Sequence, residues 1–204
     1  MTDTTQPPRS IGILSIATGI AAFGLLASHP EGDAHSFAEV LRNEAANRAM
    51  DALVHGGFIV VLALQTIGYA RLRSPAGLIL FAFGAAFLSA SMLLDGLATP
   101  ALAMRYLAQP DRIESARTLF VLVGTLISLL MPLGLAFQSA AVAWWGATLW
   151  TTSRIASLAA AVLGVGAFAA LAATAGTMNP LVLMGAIAAL SAWAVVAGIV
   201  LLRR

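Results

Sequence analysis

Six stretches of this 204-residue chain stay apolar for as long as a helix needs to cross a bilayer, at approximately 11–28, 54–71, 76–98, 119–149, 155–176 and 181–202. A crossing helix takes about 20 residues to span a hydrocarbon core of roughly 30 Å. Charges, prolines or polar turns bound every stretch, and 60% of all residues are hydrophobic against 10% charged, far from the make-up of a soluble domain. The pattern predicts an all-α polytopic membrane protein: a single six-transmembrane-helix bundle over 1–204, with the lipid bilayer as its surroundings and outer connections at 29–53 and 99–118.

Short cytoplasmic loops retain positive charge, so the arginines set the orientation. With six crossings, Arg9, Arg71, Arg73, Arg154, Arg203 and Arg204 all fall on one side, which is taken as the cytoplasm. Every acidic residue but Asp3, and all three histidines, then fall on or at the other. Both termini are expected in the cytoplasm. The absence of lysine and the abundance of alanine suggest a GC-rich bacterial genome, and the expected location is the bacterial cytoplasmic (inner) membrane. Residues 1–28 are read as an uncleaved anchor rather than a secretory signal. Their apolar run exceeds the roughly 7–15 residues of a signal core, and LLASHP lacks small residues at both cleavage positions.

Composition removes several chemistries. Without cysteine there is no disulfide, zinc-thiolate site, iron–sulfur cluster or thiol nucleophile. All eleven basic residues are arginine, which removes Schiff-base chemistry on lysine. A net charge of only +2 with no basic face gives no nucleic-acid partner.

Two helices are too long for the bilayer. Ser36 can cap a helix whose third position is Glu39, and no proline follows until Pro75, so one helix is expected from about 37 to 71, on the order of 50 Å long. Asp111 and Glu114 offer the same spacing ahead of the fourth span, with Pro132 expected to kink it in mid-membrane. The outer ends of these two helices should form a small extracytoplasmic helical cap. Trp144, Trp145 and Trp150 should mark the opposite interface. Gly164, Gly166, Ala169 and Ala170, then Gly185, Ala189 and Ala192, would let the last two helices approach closely.

Polar chemistry is concentrated at DALVHGG, residues 51–57. Glu44, Asn47, Arg48, Asp51 and His55 share about a third of one helix face. Gln65, Thr66 and Tyr69 continue that stripe more weakly into the membrane. Asp95, one turn after Ser91, should sit at the same depth, where an ionisable group is costly unless paired, hydrated or used. Arg105, Arg112 and Arg117 are candidate partners, and Gly56 and Gly57 would allow close backbone approach.

An acid and a histidine one turn apart can hold a divalent ion, with Asp95, His35, Glu39 or His29 completing the shell. His29, beside Pro30, reads first as a solvated loop residue, and Glu31, Asp33, Glu39 and Glu44 as a wet surface. The plainer account of Asp51, His55, Asp95 and an arginine is an interhelical network that fixes packing. Haem is disfavoured, because only His55 lies near the membrane on a long helix. Asp51, His55 and Ser91 lack the GxSxG context of a hydrolase.

The expectation is therefore a membrane protein whose outer acid and histidine cluster binds a metal ion or small polar ligand. The alternatives are a non-catalytic accessory or assembly subunit, held to a membrane-protein partner or to another copy of itself, and a small transporter.

Overall fold

A computed structural model describes residues 9–29, 34–72, 74–174 and 179–203. Glu31, Asp33, Arg73 and Arg204 lie outside them. The described chain is helical: α1 (Arg9–Ala27), α2 (Phe37–Tyr69), α3 (Pro75–Leu93), α4 (Thr99–Leu107), α5 (Ile113–Leu149), α6 (Arg154–Ala173) and α7 (Pro180–Leu202). A π-helical turn, Leu94–Ala98, joins α3 to α4 without a break, so six helical units are long and apolar enough to cross a membrane. The protein is a multi-pass helical bundle. Large apolar side chains stand out from it, with Ile155 83% exposed, Leu181 78% and Val162 72%. In water such a surface would aggregate, whereas in lipid it is the expected exterior.

The capping signal at Ser36 works as the spacing predicts. Ser36 is extended, its hydroxyl accepts from the Glu39 backbone N–H at 3.3 Å, and the Glu39 carboxylate accepts from the His35 N–H at 2.7 Å. Two orphan donors are thereby satisfied ahead of a 33-residue helix. At α5 the expectation fails. Pro110–Arg112 form a 3-10 turn, Arg112 takes the cap position without a side-chain bond, and Glu114 pairs instead with Arg117 at 3.0 Å. The 3-10 turn takes in Asp111, which therefore does not hold the cap position of α5.

The connection 99–118 is itself largely helical. DGLATP resembles a helix stop, yet Thr99 bridges it: its backbone N–H and its hydroxyl both donate to the Leu94 carbonyl, the latter at 2.9 Å. Pro100 then falls in the first turn of α4, where a missing N–H costs little. Pro132 lies within α5, which continues through it.

Glycines set the closest helix crossings. A methyl group at Gly84 on α3 would lie 2.7 Å from the Gly134 carbonyl oxygen on α5, and one at Gly198 on α7 would lie 2.6 Å from the Gly12 carbonyl oxygen on α1. Backbones touch there, which is how membrane helices gain packing that lipid cannot match. Gly164 does the same against the Ala143 backbone of α5, whereas Gly166 and Gly185 face open space, so the small-residue pattern overstated α6 and α7.

The main core gathers Tyr69, Phe81, Trp145 and Trp193, with the two indoles stacked at 6.2 Å. Trp145 is fully buried, not an interfacial anchor; Trp144 and Trp150 are about half exposed. A helix presents consecutive residues about 100° apart, so the paired tryptophans cannot share one environment. At the other end Leu41, Ala103 and Ala116 are fully buried together, tying the start of α2 to α4 and α5. The polar cluster lies between these two cores.

Candidate metal centre

His55 sits on the inward face of α2 with its side chain only 4% exposed. One ring nitrogen, Nδ1, lies 2.8 Å from the backbone carbonyl oxygen of Asp51, one turn earlier. A carbonyl can only accept, so Nδ1 must carry the proton. The other nitrogen, Nε2, faces the Asp95 carboxylate at 3.2 Å. A neutral ring would then point a bare lone pair at a carboxylate lone pair. A positive charge has to be shared between them, either a proton or a metal ion.

The π-turn makes this meeting possible. It places Asp95 and Gly96 against α2, and a methyl group on Gly96 would overlap the His55 side chain, reaching 2.5 Å from Cγ and 2.6 Å from Nδ1. Extra-residue turns of this kind are common at functional sites because they re-aim side chains. Of the two glycines in DALVHGG, Gly57 packs against Leu25 of α1, while Gly56 faces open space.

His29, just past α1, completes the group. Its ring approaches that of His55 edge to face, with centroids 5.2 Å apart, and one ligand atom each from His29, His55 and Asp95 lies within 4.8 Å of the others. Bond lengths of about 2.0–2.1 Å to an ion imply ligand atoms roughly 3.4 Å apart in a tetrahedron, so His29 has a short distance to close. Its ring is on the surface of the bundle. Two imidazoles and one carboxylate can hold a divalent transition metal, and imidazole favours zinc, copper, iron or nickel over calcium or magnesium. Three ligands leave a position open.

Two cavities meet at this group. A polar one of about 190 Å³ adds Glu44, Asn47 and Asp51 to His29, His55 and Asp95. An apolar one of about 390 Å³ adds Phe58, Met92, Met131, Leu183 and Met184 to the same three residues. The three ligand candidates thus line both a polar cavity and an apolar one.

The structure brings Asp51, His55, Asp95, Glu44 and Asn47 together at the polar cavity. Asp51 meets His55 through its backbone, while its carboxylate belongs to the chamber. His35 and Glu39 serve the α2 cap and line neither cavity. Arg48 is exposed and donates to the Met104 sulfur at 3.4 Å. Arg105 is exposed on α4, and Arg117 pairs with Glu114 and covers the Phe37 ring at 4.9 Å. Ser91 is buried, and its hydroxyl has no hydrogen-bond partner among the described residues. With both His55 nitrogens engaged elsewhere, Asp51, His55 and Ser91 do not form a hydrogen-bonded relay.

His29 and Gly96 are the residues that sequence reasoning undervalued. The histidine was visible at the end of the first span, on the same side as His55. Its neighbour Pro30 pointed to a loop, and nothing in one dimension brings α1 to the right face of α2. No protein-family model matches the chain, and searches of curated proteins and of solved structures find no match. Function has to be argued from the site itself.

Proposed function

We propose that this protein binds a divalent transition-metal ion at one end of its membrane bundle, through His29, His55 and Asp95. The observation that carries this reading is the convergence of those three ligand atoms within 4.8 Å, on residues from three separate elements. The fixed tautomer of His55 supports it. With Nδ1–H held by the Asp51 carbonyl, Nε2 is presented as a ligand atom, the arrangement by which metal-bound histidines are commonly oriented.

We further propose, from the arginine distribution, that both termini lie in the cytoplasm and the metal site on the outer side, and, from the lack of lysine and the abundance of alanine, that the membrane is a bacterial inner one. The start of α2, with α4 and the first turns of α5, would then form a cap over the site.

The test is metal content. Protein purified in mild detergent without chelator should retain close to one equivalent of a transition metal by mass spectrometry, and His55→Ala should lose it while still eluting as a folded species. A wild type that stays metal-free after incubation with Zn2+, Co2+ and Mn2+ in turn would refute the assignment.

A further inference from the structure

The two cavities share His29, His55 and Asp95 and differ in everything else, so a ligand on the ion's open position would have polar surroundings on one side and apolar ones on the other. Building on the metal reading, we propose that the site takes an amphipathic ligand: a single-chain lipid with an uncharged ester or amide head. Its carbonyl oxygen sits on the ion and its hydrocarbon tail fills the apolar cavity.

The apolar cavity, about 390 Å³, lies within the range of roughly 300–1,000 Å³ usual for pockets that take one small ligand. A single acyl chain is the occupant that its apolar lining suits. Methionines at 92, 131 and 184 suit such an occupant, since unbranched thioether side chains adapt to irregular apolar shapes. Entry is from the side. Met184 lines the cavity and is 42% exposed, Leu181 beside it is 78% exposed, and Ala27 is an exposed lining residue at the end of α1.

Charge sets the head group. Neither cavity has an arginine among its described lining residues, and the polar one carries Glu44 and Asp51 in addition to Asp95. A phosphate or carboxylate head would meet two acids with only the ion to offset them, and like charges set side by side are costly. A neutral carbonyl head avoids that repulsion. Asn47 in the polar chamber offers amide donors and an acceptor for hydroxyl or amide groups on its far side.

The test uses the full-length protein loaded with Co2+ alone, whose visible spectrum reports changes in the ion's ligands, and 1-dodecanoylglycerol as probe. The wild-type spectrum should shift and saturate on addition of the probe. Ala27→Trp and Met184→Trp, both at exposed rim positions, should bind Co2+ as the wild type does and lose the shift. Dodecanoate, the same chain on an anionic head, should bind roughly tenfold more weakly. Co2+ binding with no spectral response to the acylglycerol would overturn the ligand proposal and leave the metal reading standing. So would an undiminished response in both tryptophan variants. Tighter binding of dodecanoate would overturn the head-group assignment. Failure of the wild type to bind Co2+ would sink the metal reading and this inference with it.

Discussion

Gly96→Ala isolates the geometric claim on which the site rests. The added methyl would sit 2.5 Å from His55 Cγ and 2.6 Å from Nδ1, where ordinary van der Waals contact begins at about 3.4 Å. The methyl meets His55 Cβ first, so relief needs a relative movement of more than 0.9 Å, the difference between 3.4 and 2.5 Å at Cγ, between the π-turn and the His55 side chain. Metal ligands tolerate displacements of only about 0.2 Å. His55 is buried and tied at both nitrogens, so it cannot swing into free space, and the turn that must yield is the one that carries Asp95. Overpacking of this kind costs roughly 1–3 kcal/mol of stability, a loss that a bundle of this size can survive. The misplaced ligands should weaken metal binding by roughly 10–100-fold. Zn2+ competition against a chromophoric chelator would measure affinity, and a thermal melt of the same preparations would measure stability. Gly56→Ala is the matched control: it lies next to His55 in sequence, faces open space, and should change neither. If Gly96→Ala binds Zn2+ as tightly as the wild type, the π-turn does not position His55 and the reasoning fails.

Three further outcomes follow from the same geometry. Asp95→Asn should abolish metal retention, because it removes a ligand charge, whereas Asp51→Asn should weaken binding by less than about tenfold, because the backbone carbonyl that orients His55 remains and only a neighbouring charge is lost; metal titrations of the two variants would separate the roles. Gly84→Leu should break the α3–α5 crossing and lower the melting temperature by several degrees, while Gly166→Leu, on an open face of α6, should be nearly silent. Metal affinity should fall as the pH is lowered, since imidazole and carboxylate must be deprotonated to ligate; the proton that would bridge His55 and Asp95 competes with the ion, and a pH series of the same titration reads that competition.

The membrane spans were legible because hydrophobic length is a one-dimensional property, and the Ser36–Glu39 cap because its bonds close within one turn. The site was legible only along one helix. Periodicity put Glu44, Asn47, Asp51 and His55 on a common face, and topology put Asp95 at the same depth. What escaped were contacts fixed by how helices dock. Arg48 belongs to the same arc by angle, yet its long side chain reaches outward to Met104 rather than into the chamber. Arg117 lay in range by sequence, but a glutamate three residues away satisfies it first. The role of Asp95 depends on a π-turn whose cause, Thr99 bonding back to Leu94, has no established sequence signature. His29 depends on α1 meeting α2 near its own end, where Gly57 accepts the Leu25 side chain.

Charge balance favours the proposed metal centre over a packing network. A network built to hold helices together should pair its acids with nearby arginines, since unpaired charges at the membrane edge are costly. Arg48, Arg105 and Arg117 are at the right end of the bundle for that, but they are exposed and two of them are engaged elsewhere. The described lining of the polar chamber instead collects the carboxyl groups of Glu44, Asp51 and Asp95 around two histidines, and burial together with the neighbouring acids pushes the Glu44 carboxyl up to about 7. Protonating His55 offsets one acid of the three. A divalent ion on His29, His55 and Asp95 offsets Asp95 and one acid more, while using both imidazoles as neutral ligands. Metal content is therefore the property to measure before any partner or transport activity is sought.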